Sequence, residues 1–209
     1  ANTTASYSTA VGVNSLKTNT EGHSNTAIGY NTLFYNTTGD YNSAVGRNAL
    51  HSNTTADNNT ALGYAALLAN TTGNVNTAVG DEALKSNTTG IRNTAVGRKA
   101  LFSVTTGQQN TAIGQSALSN NTASNNTAIG HDSLVANTTG TENTAVGNVA
   151  LTANTTGSYN TAVGVYSGDA ITTGTHNSAL GRASLSTNTT GNYNTAIGFK
   201  ALDQNTTAN

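Results

Sequence analysis

The sequence predicts an all-β fold, a parallel β-solenoid or β-roll of about twelve stacked 17-residue coils. The phrase Asn-Thr-Ala-Val-Gly and its close variants return every 17 residues, with a single 16-residue step from Asn110 to Asn126. A fixed period of this length is typical of stacked structural units. Glycine also interrupts most copies twice, which leaves no stretch long enough for a helix. The β-branched and aliphatic residues before the first glycine favour a short strand instead.

The consensus repeat is Asn-Thr-Ala-Val-Gly-x-x-Ala-Leu-x-x-Asn-Thr-Thr-Gly-x-x, and its residues are called positions 1 to 17 below. The twelve copies begin at Ser8, Asn25, Asn42, Asn59, Asn76, Asn93, Asn110, Asn126, Asn143, Asn160, Asn177 and Asn194. If each copy makes one turn, equivalent residues stack about 4.8 Å apart and form columns along a rod. We interpret residues 1–209 as a single repeat array, without visible caps, that is a window of a longer fibre.

The columns that never accept a polar residue predict the core. Position 4 is always Val, Ile or Leu, and position 9 is Leu in eleven copies, with Gly168 as the exception. The two predicted core columns begin with Val11, Ile28, Val45, Leu62 and Val79, and with Leu16, Leu33, Leu50, Leu67 and Leu84. Sixteen of the 17 charged residues lie at positions 6, 7, 10, 16 and 17, which indicates outward faces and corners. Thr-Thr at positions 13 and 14 predicts a second short strand.

The polar and glycine columns have structural interpretations. Asparagines at positions 1 and 12 predict ladders of stacked amides before they predict ligands. Glycines at positions 5 and 15 predict turns that need a positive φ or a close backbone approach. The copy from Asn160 carries Ser167, Gly168 and Ile171 at positions 8, 9 and 12, and this double departure predicts a bulge.

Two bulky aliphatic side chains per coil offset only part of the entropy lost when the backbone is ordered. We therefore expect self-association as a homo-oligomer or filament. The unbroken alanine column at position 3, with small residues at position 8, would offer surfaces that another sheet could approach closely. The alternative is a thin single-chain core packed with alanine.

Composition excludes several function classes. A net charge of −1 with 8% charged residues gives no basic field for nucleic acid or anionic lipid. The longest apolar run, Ala65 to Ala69, is too short to insert into a membrane. We expect no catalytic residue, cofactor or metal site, because the carboxylates are scattered and the histidines fall at four different positions. These histidines are His23, His51, His131 and His176.

The phrase Asn-Thr-Ala-Val/Ile-Gly-x-x-Ala resembles the head repeats of trimeric autotransporter adhesins (YadA-like heads), and it is similar to repeats upstream of chaperone-type tail-fibre domains in bacterial and phage surface proteins. The resemblance covers essentially the whole chain, although the adhesin repeat is usually shorter. It implies a parallel β-roll, commonly a trimer, displayed outside the cell for attachment or as a fibre shaft. It transfers no functional residue, because such heads bind through surfaces.

The sequence therefore favours a non-enzymatic structural fibre or shaft at the cell surface, or an adhesin head that binds a carbohydrate or another surface. Tyrosines at position 17 would form a discontinuous adhesive strip; these are Tyr7, Tyr41, Tyr159 and Tyr193. The alternative function is ice binding by the threonine column at position 13, which runs from Thr3 to Thr206.

Threonines at positions 13 and 14 are also candidates for O-linked sugar, and the repeat generates Asn-x-Ser/Thr sequons from Asn2 to Asn205. The candidate threonines include Thr37, Thr38, Thr54, Thr55, Thr71, Thr72, Thr88 and Thr89.

Overall fold

A computed structural model describes residues 5–208, and within them the protein is all-β with no helix. Each copy of the repeat contributes one three-residue strand at positions 2 to 4. The strands are β1 Thr9–Val11, β2 Thr26–Ile28, β3 Ser43–Val45, β4 Thr60–Leu62, β5 Thr77–Val79, β6 Thr94–Val96, β7 Thr111–Ile113, β8 Thr127–Ile129, β9 Thr144–Val146, β10 Thr161–Val163, β11 Ser178–Leu180 and β12 Thr195–Ile197. The predicted fold class is confirmed.

All twelve strands form one parallel sheet in sequence order, so the chain is a β-solenoid of about eleven turns. The register pairs like with like, because Ala27 lies beside Ala44 and Ala44 beside Ala61. The 16-residue step changes nothing in this register, since Ala112 still pairs with Ala128. One turn per repeat is therefore maintained along the whole described array.

The core is narrow and consists of small and medium side chains. The predicted leucine column is confirmed: Leu33, Leu50, Leu67 and Leu84 are fully buried, and Leu16 in the first coil is 9% exposed. Alanines at position 3 and Ala or Ser at most position 8 sites pack against these leucines. The small columns therefore face inward, and the expectation that they present an outer surface to another sheet is wrong. The thin alanine-packed core is the observed arrangement.

The prediction that position 4 forms a core column is also wrong for the described chain. Successive side chains of a strand point to opposite faces, so the inward alanine at position 3 turns its neighbours outward. The exposed fractions are 55% for Val11, 39% for Ile28, 36% for Val45 and 47% for Leu62, and Val79 is half-buried. An aliphatic column therefore lies on the outer side of the sheet.

The rest of each coil turns rather than extends. The predicted second strand at positions 13 and 14 does not form, although the Thr37 amide donates to the Thr54 carbonyl of the next coil at 2.9 Å. Left-handed backbone occurs at positions 7, 9 and 17, as at Glu82, Leu84 and Arg92, whose φ angles are 57°, 50° and 56°. These residue types gave no signal for that conformation, since only glycine and asparagine adopt it readily.

The glycine column at position 5 satisfies both expected requirements. Gly80 has a φ of 137°, and a Cβ atom there would lie 2.6 Å from the carbonyl oxygen of Gly97. At position 15 the constraint is close approach alone: a Cβ atom on Gly90 would lie 2.3 Å from both the Gly107 oxygen and Asn87 Oδ1, although the copy from Asn42 accommodates Ala56 there. Neighbouring coils thus leave little room for a side chain at these two columns.

The coil that begins at Asn160 contains no bulge, so that prediction is wrong. Strand β10 pairs in register with β9 and β11. Gly168 keeps the left-handed φ, 58°, of the leucines that it replaces. A Cβ atom on Gly168 would lie 3.1 Å from Ile171 Cδ1 and 3.1 Å from Leu151 Cδ2. Ile171 therefore fills the space that the missing leucine leaves, and the two departures compensate each other.

Two buried asparagine ladders complete the core and confirm the prediction for positions 1 and 12. At position 12, Asn53 Nδ2 donates to Asn36 Oδ1 at 2.8 Å and to the Ala56 carbonyl at 3.0 Å, while Asn53 Oδ1 accepts from Asn70 Nδ2 at 3.0 Å. At position 1, Asn42 Oδ1 accepts from the Asn59 amide at 3.0 Å. Burial of these amides is tolerated because they are hydrogen-bonded from coil to coil.

The position 12 ladder is interrupted at Val104 and at Ile171, the two places where an aliphatic residue replaces asparagine. Each interruption leaves the preceding amide oxygen, Asn87 Oδ1 or Asn154 Oδ1, buried without a hydrogen bond. The unsatisfied oxygens show that each ladder bond depends on the next coil.

Candidate functional site

The most distinctive surface is the outer face of the sheet, formed by positions 2 and 4 of β1 to β12 and called the outer sheet face below. Position 2 is Thr or Ser and position 4 is Val, Ile or Leu in every strand. No charged or aromatic side chain interrupts it. Because the register is uniform, the face consists of one hydroxyl column and one aliphatic column, about 6.6 Å apart across the strand and about 4.8 Å per step along the rod.

The hydroxyls of the outer sheet face are not used to stabilise the fold. Position 2 side chains are half-buried or exposed, and among the described residues no hydrogen bond involves a hydroxyl at that position. The backbone of the same residues is fully engaged, since the Thr26 amide donates to the Asn42 carbonyl at 2.8 Å. The chain thus presents a regular row of hydroxyl groups that can hydrogen-bond to solvent or to another molecule.

The threonine column at position 13 is arranged differently. Its hydroxyls donate to the carbonyl of the equivalent residue in the next coil, as from Thr37 to Thr54 at 3.0 Å and from Thr71 to Thr88 at 3.1 Å. Thr3, at the start of this column, lies outside the described residues. The regular hydroxyl array proposed from the sequence is therefore turned toward the backbone.

The candidate O-glycosylation sites divide by position. Thr37, Thr54, Thr71 and Thr88 use their hydroxyls in these inter-coil bonds. Thr38, Thr55, Thr72 and Thr89, at position 14, are exposed. A sugar at position 14 would leave the backbone contacts intact, whereas one at position 13 would replace a hydrogen bond.

The sequons divide in the same way. At position 12 the asparagines are buried members of the ladder, as Asn53 is, so an N-linked sugar there would require opening the core. The sequon asparagines Asn58, Asn120 and Asn125 are exposed. Asn2 lies outside the described part of the chain.

The predicted tyrosine strip is only partly assembled. Tyr159, His176 and Tyr193 stack along position 17 with ring centroids 4.8 and 5.0 Å apart. Tyr7 and Tyr41 are exposed on the first coils of the array, far from this stack. Sequence reasoning missed His176 as the residue that joins the two tyrosines, although its position in the repeat is the same.

A charged cluster occupies the coils of β5 and β6. Lys85 Nζ lies 2.5 Å from Glu82 Oε1, and Lys99 Nζ lies 3.7 Å from Glu82 Oε2. The hydrogen bond from Lys85 and the charges of both lysines hold the pKa of Glu82 below its usual value. Both lysines also lie over the Phe102 ring. The cluster therefore pairs its own charges.

The four histidines are separated along the array, as their positions in the repeat predict. His51 stacks on Phe34 with ring centroids 5.4 Å apart, and burial lowers the pKa of His51. His131 Nδ1 lies 3.2 Å from Asp132 Oδ2.

Burial raises the pKa of Asp169, whose Oδ1 has no hydrogen-bond partner. Across residues 5–208 the structure contains no pocket and no group of three metal-ligating side chains.

Comparison with known proteins yields no relative: the chain matches no protein-family model, no curated protein and no solved structure. The described residues contain no helix that could cross a membrane. The fold and surfaces thus define the chain as a repeat β-solenoid.

Proposed function

We propose that this chain is a non-enzymatic structural protein, an extracellular rod that serves as a fibre or shaft at a cell surface. The uninterrupted stack of twelve in-register strands carries the proposal, because a polypeptide arranged this way spans distance with one repeated unit. The core consists of hydrogen-bond ladders and small side chains that repeat from coil to coil along the axis. The surface columns repeat in the same way. Identical side chains on every coil favour contacts along the length of the rod over a single reaction centre.

Electron microscopy of the whole chain tests the proposal. Twelve coils at about 4.8 Å per step give a rod roughly 53 Å long between the first and last strands. Discrete rods of about that length, or filaments with an axial repeat of about 4.8 Å, support the structural role. Compact particles without an axial repeat would overturn it.

An adhesin role is a narrower form of the same proposal, in which the rod also binds a carbohydrate or another surface component. The exposed ring stack of Tyr159, His176 and Tyr193 supports it, because aromatic faces pack on apolar faces of sugars. A glycan and matrix-protein binding screen with the wild-type chain and a Tyr159→Ser/Tyr193→Ser variant tests it. Binding that the variant loses supports the adhesin role, and no binding by the wild-type chain leaves a passive shaft.

One observation favours ice binding as a second candidate function, on a column other than the one the sequence suggested. The unpartnered hydroxyls at position 2 beside the aliphatic column form a regular, charge-free lattice of hydroxyl and methyl groups. Such a lattice can order water in register with a crystal surface. Thermal hysteresis measurements on the wild-type chain test this candidate, and a freezing point equal to the melting point rejects it.

A further inference from the structure

We infer that the outer sheet face is an interface between copies of this chain, with the same face of a second copy as its occupant. The inference rests on the proposed structural role and assigns the surface through which rods associate side by side. It also replaces the alanine columns, which the fold buries, as the surface available to another sheet.

The first argument is the size and continuity of the apolar stripe. Aliphatic side chains occupy position 4 from one end of the sheet to the other; eight of the twelve are exposed, including Leu62 at 47% and Leu180 at 50%, and the four others are half-buried valines. Soluble monomers rarely expose a contiguous apolar patch of more than a few hundred Å². A three-residue strand is about 10 Å wide, so twelve strands give a face of roughly 500 Å², which includes the hydroxyl column as well as the aliphatic column. This area lies within the roughly 300–600 Å² of the largest patch on a typical monomer, and such a patch is often a functional contact surface.

The second argument compares this area with what association needs. A stable interface buries about 800 Å² on each partner, while crystal contacts bury less than about 400 Å². The outer sheet face falls between the two values, so a complete interface would also draw on neighbouring columns. Positions 6 and 17, the nearest exposed columns along the chain, carry aromatic residues and arginine, types that are enriched at interfaces, together with acidic residues such as Asp81 and Glu142.

The third argument is charge. Charged side chains lie at positions 6, 7, 10, 14, 16 and 17, and none lies at positions 2 or 4. The net charge of the whole chain is −1, so two copies approach without strong repulsion. Identical columns in two copies can interdigitate along their full length, because every coil repeats the same side chains at the same spacing. Unpartnered hydroxyls at position 2 can then pair across the contact.

Matched threonine-to-glutamate variants test the inference. Thr77→Glu/Thr94→Glu places two charges on the outer sheet face, and Thr72→Glu/Thr89→Glu places two charges on position 14 of neighbouring coils. Position 14 already carries a glutamate at Glu21. All four threonines have outward side chains, so both variants keep the core and should give the wild-type circular dichroism spectrum.

Sedimentation equilibrium at micromolar concentration is the measurement. The wild-type chain and the position 14 variant should sediment with a mass at least twice the 21.1 kDa of one chain, and the face variant should sediment as one chain. A wild-type chain that is monomeric, or two variants that dissociate equally, would overturn the inference. A monomeric wild-type chain that also shows thermal hysteresis would assign the face to ice instead.

Crosslinking gives a second readout that does not depend on dissociation. The chain contains no cysteine, so a single introduced thiol has no competitor. Thr94→Cys should be crosslinked to a dimer by a bismaleimide that spans about 10 Å, the distance between packed sheets, whereas Thr89→Cys should not. Rods seen by microscopy without association would leave the proposed function standing while the interface fails.

Discussion

The asparagine ladder makes a sharp prediction, because a single-atom change reverses its hydrogen bonds. Asn53→Asp replaces the amide nitrogen, which donates to Asn36 Oδ1 at 2.8 Å and to the Ala56 carbonyl at 3.0 Å, by an oxygen. Both contacts then become repulsive, and the new carboxylate is fully buried, as Asn53 is. The fold offers no cation to pair with it at this position.

The cost follows from these contacts. Leaving a buried acceptor such as Asn36 Oδ1 unsatisfied costs about 1–3 kcal/mol, and an unpaired buried charge costs more. Asn53→Asp should therefore lower the free energy of unfolding by at least about 3 kcal/mol at neutral pH. Burial raises the pKa of such a carboxyl, so the loss should shrink as the pH falls and the group takes up a proton that it can donate.

Urea denaturation followed by circular dichroism measures the effect, with Asn58→Asp as the control. Asn58 lies in the same coil, is exposed, and has a left-handed φ of 58° that aspartate tolerates. The control should change the unfolding free energy by less than about 0.5 kcal/mol. If Asn53→Asp also falls within about 1 kcal/mol of the wild type, the buried ladder is not a source of stability.

Three further predictions concern the core, the backbone and pH. In thermal unfolding of dilute, monomeric chain, Leu84→Ala should lower the free energy of unfolding by about 2–5 kcal/mol and Val79→Ala by less than about 1 kcal/mol. The difference is expected because only Leu84 faces inward. Equal costs would contradict the inward and outward assignment. Val75→Asn should raise the free energy of unfolding by about 1 kcal/mol, because the wild-type chain holds a β-branched residue there at a φ of 61°. The control Val13→Asn, at an exposed position without a left-handed φ, should leave that free energy unchanged. A Val75→Asn variant less stable than the wild type would refute the reasoning. Asp169→Asn should raise the melting temperature at neutral pH, because burial raises the pKa of Asp169 and the ionised carboxylate therefore destabilises the folded state. The gain should vanish below the pKa of an unfolded aspartate, where the carboxyl is protonated in both states. A gain that persists in acid would show another cause.

The repeat period was sufficient to predict the architecture. A constant spacing of 17 residues implies one coil per copy, and the strands, register and leucine column follow from it. The ladders were also predictable, because an asparagine kept at one position of most coils lies next to its own copies and can hydrogen-bond to them. The repeat therefore predicts the structure reliably wherever the residue type of a column is compatible with only one arrangement.

The direction of position 4 was not predictable from composition. A column of Val, Ile and Leu is equally consistent with a core and with an outer stripe, and only the strand direction at Ala78 decides that Val79 turns outward. Left-handed leucines such as Leu84 gave no signal either, because inter-coil hydrogen bonds and burial impose that conformation on a residue that resists it. The exposed stripe, which is the candidate interface, became visible only with the fold.

A distance between two coils tests the central claim, that each 17-residue repeat advances the rod by one strand spacing. Thr55 and Thr156 are exposed at position 14 and lie six coils apart, so they can carry spin labels on introduced cysteines without touching the core or the outer sheet face. Pulsed electron resonance on labelled chain diluted in unlabelled chain should give a narrow distribution near 29 Å, six steps of about 4.8 Å. A broad distribution, or a maximum far from that distance, would contradict one coil per repeat.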